Sequence, residues 1–178
     1  VNDAPVMSNL TGDTLAYSEG AGALVIEQGG NATVTDADNA NFNTGTLTVS
    51  LAAGSDSAED VLAIRNEGAS AGQIGISGLN VQYGGVTIGT YTGGSSGANL
   101  VITFNTNATP TAVQALVKNI TYQNTDTDNP TAGARTVRYV ITDGAGGTSA
   151  NYDATVNVTG VNDAPVMSNL TGDTLAYS

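Results

Sequence analysis

The sequence runs to 178 residues and sets sixteen acidic residues against four basic ones, a net charge of −12, with no histidine and no cysteine. That charge excludes a nucleic-acid partner, which needs a basic footprint, and direct docking on anionic lipid. Without histidine and cysteine the chain lacks the commonest general base, the zinc, copper and haem ligands, and any disulfide, so no enzyme is expected.

The opening eighteen residues, VNDAPVMSNLTGDTLAYS, return unchanged as residues 161–178. Val1 recurs as Val161, which sets a period of 160 residues. Residues 1–160 therefore read as one repeat with its own core, and residues 161–178 as the first strand of the next. Tandem arrays of this kind serve reach, stiffness and multivalency more often than chemistry.

Within the repeat, apolar and polar residues alternate with the period of a strand. Residues 14–17, 24–27, 46–51, 61–64, 73–76, 79–83, 86–91, 100–104, 120–123, 136–142 and 154–158 are predicted strands. Tyr83-Gly84-Gly85-Val86 joins two of them as a two-residue hairpin. One helix is predicted, opening at Thr109-Pro110-Thr111 with proline at its first position. Val113, Leu116 and Val117 then fall on one face. Glycines at 20–22, 93–97 and 144–147 read as turns that need positive φ, not as phosphate loops. The expectation is an all-β sandwich with one short helical connection. No apolar run is long enough to span a membrane, so no membrane insertion is expected.

The acids sit in turns. Asp36 and Asp38 form an Asp-x-Asp pair, Asp126 and Asp128 another, Asp143 ends a strand, and Asn2-Asp3 recurs as Asn162-Asp163 at the repeat junction. Two carboxylates in one turn repel each other, whereas Ca²⁺ between them turns the pair into an oxygen chelate. Aspartate also favours such turns by itself. Asp126 and Asp128 fit a solvated turn equally well. Asp56, Glu59, Asp60 and Glu67 read as solvated surface, and Tyr83 and Tyr91 as sheet-face packing, with a sugar platform as the alternative for the tyrosines.

Val-Thr-Asp36-Ala-Asp38-Asn39 resembles the Asp-x-Asp signature of cadherin-like repeats. Ser18-Glu19-Gly20 is similar to their early calcium-binding glutamate, Val140-Ile-Thr-Asp143-Gly144 to their late strand ending in a ligand, and Val161-Asn162-Asp163-Ala164-Pro165 to their inter-repeat linker. Over residues 1–50 and 109–165 the chain most resembles bacterial cadherin-like tandem repeats of giant secreted adhesins of the RTX type. The resemblance implies an immunoglobulin- or cadherin-like sandwich at the bacterial surface or outside the cell. It implies Ca²⁺ between consecutive repeats, stiffening an array that supports adhesion.

Carried over by position, the resemblance puts Asp36, Asp38 and Asp143 at one end, meeting Asn2 and Asp3. It puts Glu19 at the other, meeting Asn162 and Asp163. Asp126 and Asp128 stand about where the family has a mid-domain ligand. Gly160 replaces an expected aspartate, which implies fewer ions or weaker binding. Residues 53–108 exceed a minimal repeat of this kind and read as inserted hairpins; a module using them to bind a glycan or a protein is the alternative function. The expected partners are neighbouring repeats of the same chain, with head-to-tail self-association through residues 161–178 as a further expectation.

Overall fold

A computed structural model describes residues 1–169, 171–172 and 174–177. The first half of the repeat holds β1 (Val6–Ser8), β2 (Thr14–Ser18), β3 (Leu24–Val25), β4 (Thr33–Thr35), β5 (Thr46–Ala53) and β6 (Asp60–Ile64). Then follow β7 (Ile74–Ser77), β8 (Asn80–Tyr83), β9 (Val86–Thr92), β10 (Leu100–Phe104) and helix α1 (Pro110–Val117). β11 (Ile120–Asn124), β12 (Gly133–Ile141) and β13 (Tyr152–Thr159) complete it. The all-β sandwich with one short helix is thus the observed fold.

Eight strands form the larger sheet, in the order β2-β13-β12-β5-β10-β9-β8-β7. A three-stranded sheet, β3-β11-β6, and the pair β1-β4 make up the rest. The period-two alternation sets the buried face: Leu47 and Val49 on β5, Val137, Tyr139 and Ile141 on β12, Ala154, Val156 and Val158 on β13. These residues join Ile120 and Tyr122 of β11 in one apolar core. The rings of Tyr17 on β2 and Tyr122 on β11 meet edge to face, 5.0 Å between centroids, and tie the two larger sheets together.

Helix α1 forms where its caps require. The Thr109 side chain accepts a hydrogen bond from the Ala112 amide, and Pro110 occupies the first turn. Ala112, Val113, Leu116 and Val117 are buried. The Tyr83–Val86 pair closes the predicted hairpin between β8 and β9, with both central glycines at positive φ.

Three features differ from the expectations: the strands of residues 1–35, the burial of Asp60 and the backbone of Gly147. Residues 1–18 form two strands, β1 and β2, and β4 is an additional one; β1 and β4 span three residues each, too few for a period to show. Within residues 53–108, β7 to β10 pair as successive hairpins and extend the large sheet through the β10–β5 pairing, while β6 pairs with β11. Asp60 is not a surface acid. It is 2% exposed and holds Arg135, itself 1% exposed, at 3.0 Å, while the Tyr122 hydroxyl donates to its other oxygen. Gly147 lacks the positive φ of Gly144 and Gly146.

The pairing that positions the junction is parallel. β2 lies beside β13, with Ser18 opposite Thr159. The second and last strands of the repeat therefore finish side by side, bringing Glu19 to the linker that follows β13. β12 runs antiparallel to β13, so Asp143 falls at the other end.

Candidate functional site

Two clusters at opposite ends of the sandwich share one linker sequence. At the β12 end, Asp143 is 2% exposed. Its Oδ1 accepts hydrogen bonds from the amides of Ala145 (2.7 Å) and Gly147 (2.9 Å), and its Oδ2 accepts one from the side-chain amide of Asn2 (2.7 Å). Burial pushes the Asp143 carboxyl up, but the Asn2 bond and the backbone amides of Ala145, Gly147 and Gly146 outweigh it and hold the group below the ordinary aspartate range. Asp143 is therefore an anion anchored to the linker.

Gly147 explains how the linker comes so close. A Cβ there would lie 2.3 Å from the Asp143 Oδ2, 2.8 Å from the Asp3 carbonyl oxygen and 2.9 Å from the Asn2 side-chain nitrogen. Only glycine fits between the strand end and the linker.

The Asp36–Asp38 turn completes this end. The Asp3 amide donates to both oxygens of Asp38, at 3.3 and 3.2 Å. Asp36 Oδ1 accepts from the amides of Asp38 and Asn39, an Asx turn, so the turn-forming role and the clustering coexist. Asp36 Oδ2 is buried and has no hydrogen-bond partner.

Asn39 is the residue the site assignment missed. Its amide nitrogen lies 3.1 Å from Asn2 Oδ1, 3.3 Å from oxygens of Asp36 and Asp38, and 3.4 Å from Asp143 Oδ2. An amide nitrogen carries two hydrogens, so four oxygens around it exceed what it can serve. Its place directly after the Asp-x-Asp pair is the only signal the sequence offered.

At the opposite end, the Glu19 amide donates to the Thr159 carbonyl, and the Val161 amide donates to Glu19 Oε2 at 2.7 Å. Glu19 Oε1 is buried without a partner. Asn162 and Asp163 are exposed, and the Asn162 side-chain amide donates to the Asp163 carbonyl. They repeat Asn2 and Asp3, whose environment the first cluster displays.

Asp126 and Asp128 join neither cluster by a hydrogen bond. Asp126 Oδ1 caps its own turn, accepting from the amides of Asp128 and Asn129, and those bonds hold its carboxyl below the ordinary range. Among the described residues, no three acidic side chains stand close enough to hold a metal ion as they lie. The first cluster instead gathers its carboxylate oxygens around the Asn39 amide. No family model, no curated protein and no solved structure matches the chain.

Proposed function

We propose that this chain is a calcium-stiffened structural spacer repeat, cadherin-like, of a large bacterial surface or secreted adhesin. One observation carries the proposal. The same three-residue linker touches Glu19 of the repeat it leaves, through Val161, and the Asp36–Asp38–Asn39–Asp143 cluster of the repeat it enters, through Asn2 and Asp3. At each end a buried carboxylate oxygen, one on Glu19 and one on Asp36, lacks a partner. A buried unpaired oxygen is costly, and a hard divalent cation satisfies it.

The donor set suits Ca²⁺: carboxylate, amide and backbone oxygens, with no histidine or cysteine in the chain. Asp36, Asp38, Asp143, Asn2 and Asp3 would hold it from one side, and Glu19 of the preceding repeat from the other. Bound there, the ion supplies positive charge that cross-links two domains and their linker. The chain's own residues do the remainder. Asp143 anchors Asn2, Gly147 admits the linker backbone, and the parallel β2–β13 pair carries Glu19 to within reach of it. Asp126 and Asp128 remain a proposed accessory site.

Limited proteolysis of a two-repeat protein tests the proposal. Cleavage at residues 160–165 is expected to slow on adding calcium and to be unchanged by magnesium. Equal rates with and without calcium would remove the stiffening mechanism.

A further inference from the structure

We propose that the cleft between residues 65–83 and helix α1 binds a carboxylate-bearing sugar residue of the uronic-acid type. None of the junction residues lines it, so it stands independently of the calcium proposal. The cleft measures about 530 Å³, the size of a small-molecule site.

Its hydrogen-bonding inventory is one-sided. Both acids on its wall are already engaged, each accepting three hydrogen bonds: Glu27 from the amides of Gly30, Asn31 and Ala32, and Glu67 from Arg65, the Ile74 amide and Asn119. The Asn119 amide is engaged as well, accepting from Arg65 Nε and donating to Glu67 and to the Ala115 carbonyl. The donors are not. Arg65 keeps Nη1 uncommitted, its side chain half-exposed. Lys118 takes part in no ion pair among the described residues. Gln114 uses its oxygen, accepting from the Val34 amide, and keeps its NH₂. The chain has four basic residues; Arg135 and Arg138 are paired elsewhere, and both of the others line this cleft.

Free donors beside engaged acceptors select an acceptor-rich ligand. A carboxylate answers Arg65 and Lys118. Ring hydroxyls answer the Gln114 amide, and Tyr83, half-buried against the core, also lines the cleft. The overall charge of −12 opposes an anion at long range, but salt screens it beyond about 8 Å while leaving direct contacts intact.

The test is a ¹⁵N NMR titration of the full chain in EDTA, so that no divalent ion bridges ligand and protein. The probes are D-glucuronate, D-glucose and N-acetylalanine. Saturable shifts at the Arg65 Nε–H and the amides of residues 114–119 are expected with glucuronate and only weaker ones with the other two. Lys118→Gln, which breaks no observed contact, and Arg65→Gln should each weaken glucuronate about tenfold, the worth of one charge-assisted bond. Glucose binding as well as glucuronate would overturn the role of the cations. N-acetylalanine binding as well would overturn the sugar assignment. No saturable shift with glucuronate would overturn the site.

Discussion

Asp143→Asn is the most informative perturbation of the junction, because it keeps shape and removes charge. Without calcium the variant retains a carbonyl oxygen for the Ala145 and Gly147 amides. It replaces the oxygen facing Asn2 with an NH₂, setting donor against donor. Losing the charge-assisted bond is worth about 2 kcal/mol, or roughly 4 to 8 °C in Tm for a domain of this size. With calcium the wild type gains RT ln(1 + [L]/Kd), about 2.7 kcal/mol at a hundredfold excess over Kd, or roughly 5 to 11 °C. The assay is a calorimetric melt of both proteins, as two-repeat chains, in EDTA, in calcium and in magnesium. The wild type should rise with calcium alone, and the variant should start lower and rise far less. Equal calcium-dependent rises would remove Asp143 from the ligand set. A wild type that does not respond would refute the ion-clamped junction altogether.

Gly147→Ala should push the linker off Asp143 and cost about 1–3 kcal/mol from the forced contact; unfolding in urea gives the value, and an unchanged midpoint would show that the linker is not seated there. Asp60→Ala leaves Arg135 buried and unpaired and should cost about 3–5 kcal/mol, with the Asp60→Ala, Arg135→Met double variant recovering part of the loss; a cost below about 1 kcal/mol would contradict the buried pair. The Asp143 carboxyl is lowered by folding, as is that of Asp153 beside Arg138, so both stabilise the fold above the unfolded aspartate pKa of about 3.9 and lose that contribution as pH falls through their folded values. A calcium-free Tm that stays flat below pH 4 would contradict the assignment. Strand exchange through residues 161–178 buries one copy of the segment for each copy it expels, as Met7 is 2% and Met167 79% exposed. Light scattering should therefore find monomers after native purification and swapped species only after refolding at high concentration; identical monomer masses with and without residues 161–178 under both conditions would end the exchange idea.

How much of this was legible varies with range along the chain. Strands long enough to show alternation, such as β5 and β12, were readable from period alone, and so was α1, whose cap and apolar face lie within one short segment. β1 and β4 were not, since three residues define no period. The Asp60–Arg135 pair spans 75 positions, and nothing in Glu-Asp-Val-Leu around Asp60 marks it as buried. The placement of Asn2, Asp3, Asp36, Asp38 and Asp143 at one end, and of Glu19 at the other, was expected from motif resemblance. The parallel β2–β13 pairing supplies the physical reason, and no local pattern encodes it. Asn39 was missed because its amide acts only where three separate chain segments converge.

Under the proposed function, the repetition of the linker is what would make the junction mechanical. On that reading, Glu19 of one repeat and the linker aspartate, Asp36, Asp38 and Asp143 of the next would put five carboxylates around one tripeptide, while Arg65, Lys118, Arg135 and Arg138 line the cleft or pair elsewhere. Repulsion among them would be modest in water, about 1 kcal/mol for a pair at 4 Å, and would act on the linker as a term favouring separation of the two repeats. A divalent ion bound there would reverse the sign of the term at the junction. Gly160 is the position where charge can be added to test this: a Cβ there would lie 3.6 Å from Glu19 Oε2. Gly160→Asp adds a sixth carboxylate beside Glu19. In EDTA this should make a two-repeat chain more flexible than wild type, and in calcium it should lower the concentration needed to extend it. Small-angle scattering across a calcium titration reads both effects. A variant whose extension curve overlays the wild type would show that charge at the linker does not set the junction's stiffness.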